Sequence, residues 1–261
     1  MVLRDSVDLR PHLVLFDIDG TLTESQSTDS ALYVRSLGTV FDFFDINQDW
    51  TAYQHATDSG ILAEIFLTRR RRQPAAEEVA LFRAHFVAAI ADVARKTPFR
   101  ELAGAQACLR QLLTMRSLEV GLATGGFRDS ARCKMQSAGM DYDAFPAASA
   151  DDGMAREEII QTAIARVIDH CGLQPSRITY IGDGLWDARA CQRLGLRFVG
   201  IGTGSHAEVL RTEGAEAVFA DYSEQRQFLD CLIGDVPRAD FLDRLPIVGE
   251  ARERTLSRTE Y

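Results

Sequence analysis

From residue 104 onward, short apolar runs alternate with segments whose apolar residues recur at helical spacing, and no other pattern in the chain restricts the fold so tightly. The runs are Leu118 to Ala123, Arg177 to Ile181, Arg197 to Ile201 and Ala217 to Ala220, with a weaker one around Phe145 to Ala148. An earlier run, His12 to Ile18, passes into Asp17, Ile18, Asp19, Gly20 and Thr21, the pattern of a buried strand stopped by a turn. Helical spacing covers 104–116, 127–138, 156–171, 186–194, 206–213 and 223–232. Near-continuous apolar strands separated by helices predict a parallel sheet covered on both faces, an α/β Rossmann-like core.

Residues 24–99 interrupt the alternation. They carry apolar positions at helical spacing, such as Ile61, Ile65 and Phe66, then Phe82, Phe86 and Ile90, and no convincing strand. The reading is a core of residues 1–23 and 100–235 with a small all-helical cap, 24–99, inserted after the first strand. Hinges are expected near Thr23 to Thr28 and Lys96 to Phe99, where Pro98 discourages helix at Thr97. Residues 236–261 read as a charged tail, fraying past Gly249.

Composition closes off several classes of function. No apolar run reaches the roughly 20 residues of a membrane span, and Met1 to Pro11 lacks the apolar region of a signal peptide, so a cytoplasmic protein is expected. The net charge of -9 repels a phosphate backbone and argues against nucleic acid. Cys108, Cys133, Cys171, Cys191 and Cys231 form no CxxC pair and read as free thiols, and the scattered histidines form no metal-binding spacing.

The chemistry lies where acids meet strand ends. Asp17 and Asp19 close the first strand, Asp183 closes Arg177 to Ile181, and Asp187 follows four residues on. In a doubly wound sheet these ends border one crevice, so the four acids converge. Such a cluster repels itself unless a cation compensates, and an all-oxygen donor set suits Mg2+ bound together with substrate phosphate.

Asp17-Ile18-Asp19-Gly20-Thr21 resembles the first motif, DxDGT, of the haloacid dehalogenase superfamily, Thr124 in GLATGG resembles its second, and Gly182 to Asp187 (GDGLWD) its fourth. The motifs occur in the family's order, over residues 12–23 and 100–222. The resemblance is to the phosphoglycolate phosphatase and phosphoglucomutase branch, with its cap in this position. It implies Mg2+-dependent hydrolysis of a small phosphorylated metabolite through an aspartyl-phosphate. Asp17 would be the nucleophile and Asp19 the acid and base, its backbone carbonyl also a metal ligand. Thr124 and Gly125 would hold the phosphoryl group, while Asp183 and Asp187 complete the metal site with Asp17. A phosphomutase would share these residues; a dehalogenase or a non-enzymatic relative are further alternatives.

The third motif departs from the family's pattern. Aligning Gly153 puts Met154 where relatives often carry lysine, which leaves Arg156, two residues later, to contact the phosphoryl group and brace Asp17. Lys134 is the reserve candidate, and its removal is expected to do little. Arg156→Ala is expected to lower turnover with stability unchanged or slightly raised, because a first-turn arginine opposes the helix dipole. The run Arg69 to Arg72 reads as a solvated helix end.

Overall fold

The computed structural model describes residues 11–234. Six parallel strands form one sheet: β1 (His12–Phe16), β2 (Leu118–Ala123), β3 (Ala147–Ala148), β4 (Arg177–Gly182), β5 (Arg197–Ile201) and β6 (Ala217–Phe219). Their order across the sheet is β3-β2-β1-β4-β5-β6. Both faces of β1 are buried, which is why it reads as one apolar run. Val14, Phe16, Val120, Leu122 and Ile181 pack on one side against α4 (Ala105–Leu112), α5 (Arg128–Ser137) and α9 (Gln225–Ile233). Leu13, Leu15, Ile178 and Tyr180 face α6 (Arg156–Cys171), α7 (Leu185–Leu194) and α8 (Gly204–Thr212) on the other.

The chain runs outward from β1 to β3 and then returns to place β4 on the other side of β1. This reversal opens a crevice at the carboxyl ends of β1 and β4. Phe16 is in register with both Leu122 and Ile181, so the residues just past three strands emerge together.

Between β1 and β2 lie α1 (Gln26–Phe41), α2 (Asp58–Arg70) and α3 (Ala76–Lys96), with one short 3-10 turn at Trp50–Ala52. Their core is aromatic, built on Tyr33, Phe41, Phe66, Phe82 and Phe86, and it takes in Phe127 and Ala150 from the sheet side. The two ends of this segment pair with each other: Glu24 N donates to Arg100 O at 2.9 Å, and Leu102 N to Leu22 O at 2.8 Å.

Several local expectations differ from the structure. The helix expected over 104–116 ends at Leu112, where Thr114 N and Met115 N turn back to Gln111 O and Leu112 O. The weak strand near 145–148 is two residues long and lies at the sheet edge. Arg69 to Arg72 are exposed, as a solvated helix end would be, but Arg69, Arg70 and Arg72 are not free. Arg69 donates to Phe44 O and Asp45 O, and Arg70 and Arg72 both pair with Glu78. Their guanidinium groups lie over Phe41, Phe43 and Phe66 at 5.0–5.5 Å, so the run lids the aromatic core. The tail and the expected fraying past Gly249 lie outside the described residues.

Candidate active site

Asp17 leaves β1 with its backbone N–H bonded to Ile181 O, which fixes it beside β4. Gly20 follows at φ 74°, and a Cβ there would lie 2.1 Å from Asp183 Oδ2, so both conformation and space require glycine. One carboxylate oxygen each from Asp17, Asp183 and Asp187 lies within 4.8 Å of the others. All three side chains are buried, and burial is the main cause that raises their pKa values; Asp17 is pushed up to about 7, with Arg156 opposing and Asp187 and Asp19 adding to the rise.

The partners of the three acids differ. Asp183 Oδ2 accepts from Gln26 Nε2 at 2.8 Å, while Oδ1 is buried with no hydrogen-bond partner. His206 Nε2 lies 2.7 Å from the Asp183 carbonyl oxygen. Asp187, fully buried, accepts from Gly184 N at 3.1 Å and from Tyr180 Oη at 3.3 Å, and lies 3.2 Å from Arg156 Nε.

Arg156 opens α6, and its side chain turns inward, with Nη1 3.3 Å from Asp17 Oδ1. A Cβ on Gly125 would fall 2.7 Å from Arg156 Nη2, so glycine there makes room for the guanidinium. Thr124, 1% exposed, accepts from Gly126 N at 3.2 Å, leaving its hydroxyl hydrogen for another acceptor. Met154 is 46% exposed and faces solvent. The dipole argument for a stability-neutral Arg156→Ala therefore fails. Two buried carboxylates would lose their cation, a far larger effect than the roughly 0.3–1 kcal/mol of a dipole contact.

Lys134 is not peripheral, contrary to the expectation that its removal does little. It is fully buried, and Nζ lies 2.6 Å from both Asp19 Oδ2 and Asp29 Oδ1. Burial alone lowers its pKa, but the two carboxylates more than reverse this and hold it charged. The other Asp19 oxygen accepts from Ser25 Oγ. Asp19 thus takes no part in the three-acid cluster through its side chain and is oriented separately.

The sequence reading missed Gln26, Asp29 and Asp58, all on the helical segment. They line the same pocket as Asp17, Asp19, Thr124 and Arg156. Periodicity marks only the apolar faces of these helices, and no spacing distinguishes Asp29 from a solvated acid.

A family model for haloacid dehalogenase-like hydrolases matches residues 11–195, more than half of the chain. The chain belongs to this family. Among solved structures, a hydrolase from Pseudomonas syringae is 21% identical, with 86% of this chain and 100% of that chain covered at a TM-score of 0.65. CbbY from Rhodobacter sphaeroides, in complex with phosphate, is 18% identical, with 81% and 95% covered at 0.61. A CbbY mutant in complex with xylulose-(1,5)-bisphosphate aligns equally well. At these identities the likeness is one of fold. No curated protein matches. The chain is thus a haloacid dehalogenase-like hydrolase, and no helix among the described residues is long and apolar enough to cross a membrane.

Proposed function

We propose that this hydrolase cleaves a small phosphomonoester in a Mg2+-dependent reaction through an aspartyl-phosphate on Asp17. The carrying observation is the convergence on Asp17 of two further buried carboxylates and a buried guanidinium, at the point where the sheet order reverses.

The residues fit a divalent cation. The donors are oxygen only, they are too close to remain charged together, and Asp183 Oδ1 is a buried oxygen with no partner. Asp17, Asp183 and the Asp19 carbonyl would hold Mg2+, with Asp187 contributing directly or through water. Bound there, Mg2+ would neutralise phosphoryl oxygens and keep the acids ionised.

The protein's own groups supply the rest. Arg156 orients Asp17 and takes a phosphoryl oxygen, while Asp187 and Tyr180 hold the guanidinium's surroundings in place. Thr124 and the Gly125 N–H complete the phosphoryl contacts, just ahead of the amino end of α5. Asp17 attacks phosphorus, and the alcohol departs with a proton from Asp19. Asp19 then takes a proton from the water that opens the aspartyl-phosphate, so the acid is restored. Lys134 and Ser25 keep Asp19 aimed at the pocket. Residues 24–99 act as the cap that excludes bulk water. Five free thiols fit a reducing, cytoplasmic setting.

A screen of phosphorylated metabolites with and without Mg2+ tests the reading. Asp17→Asn preserves shape but removes the attacking charge, and turnover should fall by several orders of magnitude with the fold intact. Near wild-type activity in that variant, with activity lost in Asp19→Asn, would exchange the two roles. Measured release of inorganic phosphate, against transfer to a sugar hydroxyl, separates hydrolase from mutase.

A further inference from the structure

Asp58 carries a carboxyl oxygen that the proposed hydrolysis does not use. It is the first residue of α2 and 7% exposed, and it lines the pocket that holds Asp17. Its Oδ2 accepts from Phe127 N at 2.7 Å, while Oδ1 accepts no hydrogen bond from any described residue. The backbone around it is pinned. Asp58 N donates to Gly125 O at 2.8 Å, Tyr33 Oη donates to Asp58 O at 2.6 Å, and Thr57 Oγ1 caps Gly60 N. The carboxyl group therefore stays in the pocket wall.

Burial raises the Asp58 pKa well above the carboxylate range, and Asp29 adds to the rise. Lys134 opposes it, but its ammonium is already held between Asp19 and Asp29. The unpaired oxygen keeps some exposure, so a donor that arrives in the pocket can reach it. Among the described residues lining the pocket, Arg156 is the one cation, and it faces Asp17 and Asp187. A second phosphate or a carboxylate on the substrate would meet Asp29 and Asp58 with no free cation to balance it. Tyr33 and Trp50, with ring centroids 6.1 Å apart, line the same pocket and offer the aromatic surface that favours an ammonium group.

We propose that Asp58 Oδ1 receives an ammonium group on the substrate's leaving alcohol, so that the site selects an aminoalkyl phosphomonoester. This assignment rests on the phosphatase reading above. The arriving charge stabilises the ionised carboxylate, and the buried pair that results is a charge-assisted hydrogen bond.

The test compares kcat/KM for ω-aminoalkyl phosphates, from ethyl to pentyl, with matched ω-hydroxyalkyl and ω-carboxyalkyl phosphates, and with p-nitrophenyl phosphate, all with Mg2+. At the best chain length the amine should exceed the alcohol by about tenfold or more, and the carboxylate should fall below both. In Asp58→Asn the amide oxygen can still accept from Phe127 N. The amine-to-alcohol ratio should drop to near unity, through KM. A wild-type preference for the alcohol or the carboxylate, or an unchanged ratio in Asp58→Asn, overturns the assignment. Hydrolysis of none of the esters, p-nitrophenyl phosphate included, overturns the phosphatase reading itself.

Discussion

Two cations sit in the candidate site, each between two carboxylates. Arg156 spans Asp17 and Asp187, and Lys134 spans Asp19 and Asp29. Taking away a buried partner strands the charges it balanced, so Lys134→Ala should cost about 3–5 kcal/mol in a urea titration. Lys134→Met combined with Asp29→Asn should recover much of that loss, because one stranded acid becomes neutral, yet turnover should stay low while Asp19 lacks its holder. A loss under about 1 kcal/mol in Lys134→Ala would mean that the buried pairing contributes no more than a surface ion pair. The expectation that removing Lys134 does little missed its burial for a physical reason: a lysine on a helix of mixed polarity looks the same whether its ammonium meets water or carboxylates brought in by a distant segment. Asp17, Thr124 and Asp183 were legible because strand ends announce themselves, and Arg156 because Met154 left the need for a cation unmet. Asp58 carried no local mark, since its meaning comes from Phe127 and Gly125, some seventy residues on.

Strands β1 and β4 were easy to read because both faces are buried, whereas β3 is too short to leave a pattern. At the opposite end of β1 from the site, His12 pairs with Thr179 on β4 at 2.8 Å. Burial, followed by Arg177 and Arg197, lowers its pKa from 6.5 to about 3. Between those values the unfolded chain binds a proton that the folded chain does not, so the His12 contribution weakens as pH falls through that window. Asp17 and Asp29, raised to about 7 and about 6, act in the opposite sense, because there the folded chain binds the extra protons. The measured pH profile is their sum, and only a difference isolates the histidine. Wild-type stability minus that of His12→Gln should decline below pH 6.5 by as much as about 1.4 kcal/mol per pH unit. Parallel profiles for the two proteins would show that the fold accepts the charged ring.

At the scale of the whole molecule, the site lies where the helical segment closes on the sheet, and hydrogen bonds join the two ends of that segment, Glu24 to Arg100 and Leu22 to Leu102. Apolar periodicity could set the helical segment apart from the alternating strands, but could not show that Gln26 would reach across to Asp183. The junction holds three carboxylates with ligand oxygens within 4.8 Å of one another. Like charges that close, at an effective dielectric of about 20, repel by roughly 3–4 kcal/mol per pair, and Arg156 offsets only part of this. Ligand-free, the junction should therefore be a weak point that ligand strengthens. Saturation with Mg2+ and a phosphate-mimicking anion such as vanadate, at about a hundred times Kd, adds about 2.7 kcal/mol. For a chain of this size that raises Tm by about 5–10 °C. Asp183→Asn keeps an oxygen for Gln26 but cannot ionise when a cation arrives. Without ligand it should melt at or above wild type, and with Mg2+ and vanadate it should gain less than half as much, so the order of the two proteins reverses. Differential scanning calorimetry of both proteins in both conditions decides the matter. An equal ligand-induced rise in the variant would mean that Asp183 takes no part in holding the metal and that the junction's cost arises elsewhere.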